Sequence, residues 1–431
     1  LEYLNGFLSV LQEKKGEKIH KVVIGRDTRN TGTVIEEMIA QGCAAAGVDA
    51  VRLGVATTPT VEMMVPYLNA DGGIIVTASH NPMEWNALKF LDSEGIFLDQ
   101  EDINSLFEKV DQKSFAWASH TEFGTSCIDH TGDDIHIQEI MKLPYINLEQ
   151  IREAGLSVAY DGVNGAGYSI VPKLLQTFGC TAHNIHITPD GTFPRGAEPT
   201  PDSLQDLSRT VTTHGCHIGF ATDPDGDRCA IVDETGFAIG EEYTLALATR
   251  FLLQKKKGPV TVNLSTSRMN QDIAKEFGVP FYQSKVGEIN VTCDMKDNQS
   301  VIGGEGNGGV ILPDLHYGRD GVLAVALVLQ AMAESGKSVS ELVAEIPAYV
   351  MIKEKYSLGQ EGVQGLEALW GVLKETFAEA SLNDADGLRF DWDQKWVHVR
   401  ASNTEPVVRV IAEAPTQEEA RTLCVSVKRM L

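Results

Sequence analysis

The residues Thr77-Ala78-Ser79-His80-Asn81-Pro82 place a hydroxyl at the end of an apolar run and bend the chain just past it. The run, Gly72-Gly73-Ile74-Ile75-Val76, reads as a buried strand, and Pro82 biases Asn81 away from helical dihedrals. Strand ends followed by tight bends are where α/β enzymes expose reactive groups, which makes Ser79 a candidate phosphoryl carrier. A serine that caps an ordinary strand-to-helix turn has the same local sequence.

A second group, Thr222-Asp223-Pro224-Asp225-Gly226-Asp227-Arg228, puts three carboxylates at alternate positions of a short loop. Unpaired they repel one another, and a hard dication with oxygen ligands removes that cost; Mg²⁺ suits a few carboxylates completed by a phosphate oxygen. Asp223, Asp225, Asp227 and Glu234 also fall at positions 1, 3, 5 and 12 of an EF-hand loop, but its sixth position needs Gly and Arg228 stands there. The flanks, His217 to Ala221 and Cys229 to Val232, read as strands where an EF-hand needs helices.

Two further loops carry polar equipment. Gly303-Gly304-Glu305-Gly306-Asn307-Gly308-Gly309 lets backbone approach a ligand, while Glu305 and Asn307 offer acceptors and donors suited to sugar hydroxyls. It lacks the Gly-Lys-Ser/Thr ending of a P-loop, and a plain flexible loop would share its composition. Arg400-Ala401-Ser402-Asn403-Thr404-Glu405-Pro406-Val407-Val408-Arg409 sets forked guanidinium donors, hydroxyls and turn amides around one bend, which suits a phosphate. A salt-bridged hairpin is the alternative reading.

These four motifs, in this order, resemble the α-D-phosphohexomutase family over essentially the whole chain. The resemblance implies that Ser79 is the phosphocarrier and a ligand of Mg²⁺ held by Asp223, Asp225 and Asp227, with His80 beside it in the catalytic group. It implies further that Glu305 and Asn307 read the sugar, and that Arg400, Ser402, Asn403, Thr404 and Arg409 clamp the non-reacting phosphate. Lys89, in Asn86-Ala87-Leu88-Lys89, matches a lysine of the family that acts as general acid/base, although Ala87 replaces the usual Gly. Arg228 and Lys285 match substrate-binding positions. Asn307 and Gly309 stand where many bacterial members carry Ser and His, a form closer to archaeal-type sequences. The family's opening F-G-T-x-G-I-R-G has no counterpart before Lys21, so a chain beginning at Leu1 is expected to lack its natural N-terminal segment.

Composition narrows the partners. The chain of 431 residues has room for three or four domains, and its net charge of −24 argues against nucleic acid and anionic membrane. The same charge repels a sugar phosphate, so a local positive field is needed; Lys89, Arg228, Lys285, Arg400 and Arg409 are expected to supply it, with Arg26 and Arg29 as additions. Seven cysteines without a C-x-x-C indicate free thiols and a cytoplasmic setting, and no apolar run approaches the length of a membrane span. A homodimer is left open.

The elements that must position these motifs recur. A strand, a polar turn, a helix and a further strand begin at Lys21, again at Leu156 and again at Val260, which predicts strands joined by right-handed crossovers in largely parallel sheets. Leu388 to Val399 and Val407 to Ala412 alternate instead, as antiparallel strands covered on one face do, and Thr416 to Met430 reads as a closing helix. Pro347 and Lys353 to Gln364 read as the linker before that part. The expected architecture is three similar α/β domains with mixed, largely parallel sheets (1–137, 138–238 and 239–350) and a smaller C-terminal α+β domain (351–431) around a central cleft. The expected reaction interconverts hexose 6-phosphate and hexose 1-phosphate through phosphoserine and a hexose 1,6-bisphosphate. Phosphoglucosamine mutase is the first choice and phosphomannomutase or phosphoglucomutase the second. A metal-dependent sugar phosphatase is the rival from another class, and a binding protein without activity the third.

Overall fold

The computed structural model describes residues 1–113, 117–357, 362–401 and 407–430, with backbone alone for 362–367. Each of the three predicted repeats is a sheet of one connectivity. In the first, β1 (Lys21–Arg26) is central, β2 (Asp49–Val55) lies parallel on one side and β3 (Gly72–Val76) parallel on the other. β4 (Leu88–Leu91) runs antiparallel beyond β3, and β5 (Ser126–Ile128) extends the opposite edge. The second sheet repeats the plan with β6 (Ser157–Asp161) central, β7 (Thr181–Ile185) and β8 (Ile218–Thr222) parallel to it, and β9 (Cys229–Val232) antiparallel to β8. So does the third, with β10 (Val260–Asn263), β11 (Phe281–Ser284), β12 (Ile302–Glu305) and β13 (Gly309–Ile311). β3 and β8 are buried along their whole length, which is why they read as unbroken apolar runs.

This plan decides where the motifs lie. The loop from the third strand to its antiparallel neighbour occupies an equivalent place in all three units. It carries Ser79 between β3 and β4, Asp223 to Asp227 between β8 and β9, and Asn307 between β12 and β13. Ser79 therefore sits in a strand-to-strand return, not ahead of a helix.

The last unit is an antiparallel sheet in the order β14 (Val350–Ser357), β18, β17, β16, β15, where β15 is Ser381–Asn383, β16 Leu388–Asp391, β17 Trp396–Ala401 and β18 Val407–Ala414. The helix Gln417–Lys428 closes it. Lys353 to Ser357 is thus strand, not linker, while 358–361 lie outside the described residues. β14 is an edge strand with only one face to cover; its charged residues Lys353, Glu354 and Lys355 disguised the alternation, and edge strands favour such residues.

Cores show which units are joined firmly. The helix Gly321–Ser335 is apolar almost all round and buried from Gly321 to Met332, because it lies inside one core shared by the second and third units with Leu174, Phe178 and Leu252. The last unit has its own core, including Leu373, Phe390, Val399 and Val410. Polar bonds tie it to the third: His398 to Ser265 at 3.0 Å, the Arg268 amide to Glu413 at 2.9 Å, and the Val286 amide to Asp386 at 3.1 Å. Interfaces of that kind permit relative motion where a shared apolar core resists it. All seven cysteines are free thiols, and among the described residues no helix is long and apolar enough to cross a membrane.

Candidate active site

Ser79 is held in the left-handed region, with φ 48°, which costs a residue with a Cβ unless its surroundings over-determine it. Here they do. The Ser79 amide donates to Thr77 Oγ1 at 2.9 Å, and Thr77 in turn donates to Asp27 at 2.7 Å. Arg29 lies under the loop, 1 % exposed, and all five of its N–H donors are used. Nε donates to Asp27, Nη1 to the carbonyls of Pro82 and Trp85, and Nη2 to those of Ser79 and Asn81. The Phe193 ring covers the guanidinium at 4.9 Å. Arg29 is therefore a brace for the serine loop, and Arg26 is engaged by Glu36 at 2.9 Å; neither adds the field to the cleft that the sequence reading assigned to them.

The three aspartates converge on that loop. Ser79 Oγ donates to Asp223 Oδ2 at 3.3 Å and lies 3.5 Å from His80 Nδ1. Asp223, Asp225 and Asp227 are fully buried, with carboxylate oxygens within 4.8 Å of one another. The Arg228 amide donates to Asp223, Thr58 and Lys89 to one oxygen of Asp225 (2.8 and 2.7 Å), and Arg319 to one oxygen of Asp227 at 2.5 Å. Among the described residues Asp225 Oδ1 and Asp227 Oδ1 have no hydrogen-bond partner, and Arg228 Nε lies 3.9 Å from the second. Two orphaned anionic oxygens beside a third carboxylate and a serine hydroxyl form the donor set that a hard divalent cation completes.

Electrostatics follow from this crowding. Burial, then the charges of Asp227 and Asp225, push the Asp223 carboxyl well above its usual range. Burial also works to raise Asp225, but the Lys89 ammonium outweighs it and holds that carboxyl down. Lys89 itself, against the cost of burial, is raised by Asp225 and Asp227 and keeps its proton near neutrality. Burial and the Arg228 charge lower His80, which leaves its ring neutral.

Above this floor is a cavity of about 380 Å³ lined from all four units. His80 enters from the first, Arg228 and Glu198 from the second, Glu305 and Asn307 from the third, Arg400 and Arg409 from the last. Glu305 has both oxygens committed: to Asn263 at 2.7 Å, the Gly287 amide at 3.1 Å, Arg319 at 2.5 Å and Asn307 at 3.3 Å. Asn307 Oδ1 by contrast is buried and unpartnered. Arg228 reaches Glu198 at 3.3 Å, its Nε lies 4.0 and 3.9 Å from Asp223 and Asp227 with no hydrogen bond among the described residues, and Arg400 Nη1 lies 3.8 Å from Asp386. Lys285 is exposed, one residue before the lining residue Val286. Ser402, Asn403 and Thr404 lie outside the described residues.

Sequence reading missed Arg319, Thr58, Glu288 and Lys353. Arg319 and Thr58 bind the aspartates, Glu288 binds Arg319, and Lys353 lines the cavity beside Glu241 at 2.9 Å. Arg319 precedes Asp320, which caps the helix Gly321–Ser335, so its sequence advertised only a helix start.

Comparison with known proteins bears on the whole chain. Four models of the phosphoglucomutase/phosphomannomutase family match in succession: alpha/beta/alpha domain I at residues 2–117, domain II at 134–236, domain III at 240–349 and the C-terminal domain at 351–430. A "Phosphoglucomutase/phosphomannomutase" of Thermococcus kodakarensis is 35% identical over 95% of this chain and 90% of its own length. A "Probable phosphoglucosamine mutase" of Methanopyrus kandleri is 34% identical over 93% of this chain and 88% of its own. The crystal structure of a phosphoglucomutase/phosphomannomutase family protein from Burkholderia thailandensis superposes with a TM-score of 0.86 at 25% identity, covering 100% of this chain and 92% of that one. With all four domains present in order and relatives above 30% identity along nearly its full length, the chain belongs to the phosphoglucomutase/phosphomannomutase family, the phosphohexomutases.

Proposed function

We propose that this phosphohexomutase interconverts glucosamine 6-phosphate and glucosamine 1-phosphate by way of phosphorylated Ser79 and the 1,6-bisphosphate. The observation that carries the reading is the meeting of Ser79 Oγ with Asp223 at 3.3 Å, next to a cavity lined by His80 and Arg228 and also by Arg400 and Arg409 of the last unit. One end of a hexose phosphate reaches the serine while the other meets the arginines.

Asp223, Asp225 and Asp227 would hold Mg²⁺ together with the Ser79 oxygen, and the bound ion supplies neutralisation of charge on the transferring phosphoryl group. The protein's own groups do the rest. As the phosphorus bond to Ser79 Oγ breaks and one to a sugar oxygen forms, the sugar hydroxyl gives up a proton to the neutral ring of His80, which lies 3.5 Å from Ser79 Oγ and returns a proton to that departing oxygen, so that serine hydroxyl and sugar phosphate are the products. Lys89 keeps its proton, so it serves as a fixed positive charge beside the loop. Arg228, whose Nε makes no hydrogen bond among the described residues and lies beside Asp223 and Asp227, would donate to the same phosphoryl oxygens. Arg400 and Arg409, with Ser402, Asn403 and Thr404, hold the phosphate that does not react, and exposed Lys285 draws the dianion to the rim. Asn307 Oδ1 is the free acceptor for a sugar hydroxyl or ammonium donor, and Glu305 orients it. The intermediate must turn round between half-reactions, and the polar attachment of the last unit suits the opening and closing that this requires.

Mannose and glucose phosphates are the second reading, favoured by the name of the Thermococcus kodakarensis relative. Initial rates with glucosamine, mannose and glucose 1-phosphates decide between the sugars; the highest kcat/KM on glucosamine 1-phosphate is expected. Single-turnover label from phosphoenzyme is expected on sugar before inorganic phosphate appears. Dominant phosphate release would make the protein a phosphatase and overturn the mutase chemistry of Ser79.

A further inference from the structure

Arg319 joins three carboxylates from three elements: the start of the helix Glu288–Asp297, the end of β12 and the aspartate loop. Nε donates to Glu288 at 3.0 Å, Nη1 to Glu305 at 2.5 Å and Nη2 to Asp227 at 2.5 Å, and the Arg319 amide makes a further bond to Glu288 at 2.7 Å. The side chain is buried, so these charge-assisted bonds are not diluted by solvent. Its base is rigid. Asp320, next in the chain, accepts from the amides of Val322 and Leu323 and contacts His136 and His316 at 2.8 and 3.1 Å, while the Gly321 amide donates to the Gly226 carbonyl at 3.1 Å.

The loops are shaped around this side chain. A Cβ on Gly309 would lie 2.4 Å from Arg319 Cδ, so only glycine leaves room for the guanidinium to pass. Gly308, at φ 89°, has its carbonyl on the Cys229 amide at 3.0 Å, and a Cβ there would meet Cys229 backbone at 2.4 Å. The Asn307 loop is seated directly on the end of the aspartate loop, and Arg319 spans the joint.

We propose that Arg319 is a positioning residue through which Glu305 of the Asn307 loop sets the affinity of the aspartate loop for its cation. The proposal rests on the metal reading above. Arg319 divides its positive charge among three anions. If Glu305 loses its charge, the guanidinium turns more fully to Asp227, whose remaining oxygen then becomes a poorer ligand. A contact on the sugar side is in this way felt at the metal side, without any group of Glu305 touching the cation.

The test is a double-mutant cycle on Mg²⁺ affinity, measured by calorimetry on the full chain without sugar, with circular dichroism confirming the fold of each variant. Glu305→Gln should weaken Mg²⁺ binding about three- to tenfold in the native background and less than about twofold in Arg319→Met. Arg319→Lys, which keeps one charge but cannot span three carboxylates, should also lose the difference and serves if the methionine variant does not fold. An equal effect of Glu305→Gln in both backgrounds would mean plain through-space electrostatics and would overturn the proposal. Absence of Mg²⁺ binding by the native protein would instead overturn the metal reading on which it stands.

Discussion

Arg400 and Arg409 are register partners, directly opposite each other across β17 and β18, and among the described residues the buried Nε atoms of both have no hydrogen-bond partner. Like charges in that position destabilise a sheet, so a hairpin built for stability would not keep them. An anion between the two converts the repulsion into binding, and phosphate matches the forked geometry.

Arg409→Lys preserves the charge and removes the fork. KM for hexose phosphate should rise about tenfold or more, the worth of a charge-assisted bond, while thermal stability stays level or increases. A loss of stability with KM unchanged would return the pair to a structural role.

Ser79→Ala should abolish turnover and leave the melting temperature within a few degrees, since one half-buried hydroxyl contributes only about 1 kcal/mol. Intact-mass measurement of the native protein should show a phosphate that this variant lacks. Turnover near the native rate would remove Ser79 as the carrier.

Arg29→Lys offers three donors where five are used. The serine loop should lose its fixed left-handed geometry, and kcat should fall about 10- to 100-fold through misplacement of the nucleophile, with KM little changed. Equal changes in kcat and KM would show that the brace acts on the cleft as a whole.

Asp225→Asn tests two effects that oppose each other. Removing one of three crowded carboxylates relieves repulsion, but Asp225 is also the near counterion of Lys89 at 2.7 Å, with Asp227 further away at 3.8 Å. The second effect should win, because an under-compensated buried ammonium is the costlier state. Metal-free protein should melt lower by the equivalent of about 1–3 kcal/mol, and Mg²⁺ binding should weaken at least about tenfold. Calorimetry and melting with and without Mg²⁺ separate the two.

Glu242 supplies a pH dependence away from the aspartates. Burial pushes its carboxyl from 4.5 up to about 8, although Lys353 at 3.5 Å pulls the other way. A carboxyl raised on folding binds its proton more tightly in the native state, so its contribution is full below pH 4.5 and is lost as pH rises through about 8. Glu242→Gln should flatten that decline in urea-midpoint measurements, with the largest gain over the native protein at the alkaline end. Parallel profiles would show that Glu242 titrates normally.

Much of the molecule was legible in its residues. β1, β3 and β9 are dense apolar runs whose burial on both faces needs no alternation, whereas β17 and β18 alternate because one face packs on the unit's own apolar core and the other carries polar residues such as His398 and Glu413, buried against the third unit. The aspartate loop and its strand flanks were readable because three like charges at alternate positions require a common partner. Tertiary structure decided what lies between these segments. β14 hid its strand character behind charged edge residues, which only pairing with β18 makes sense of. Arg29 looked like a source of field and is a buried brace, since the carbonyls it binds come from residues some fifty positions away. Glu305 looked free to read sugar and is saturated, and Arg319 went unnoticed, because its three carboxylates meet only when two sheets share the helix Gly321–Ser335. Local sequence carries periodicity and turn chemistry, whereas a charge network is a property of side chains that folding alone brings within hydrogen-bond distance.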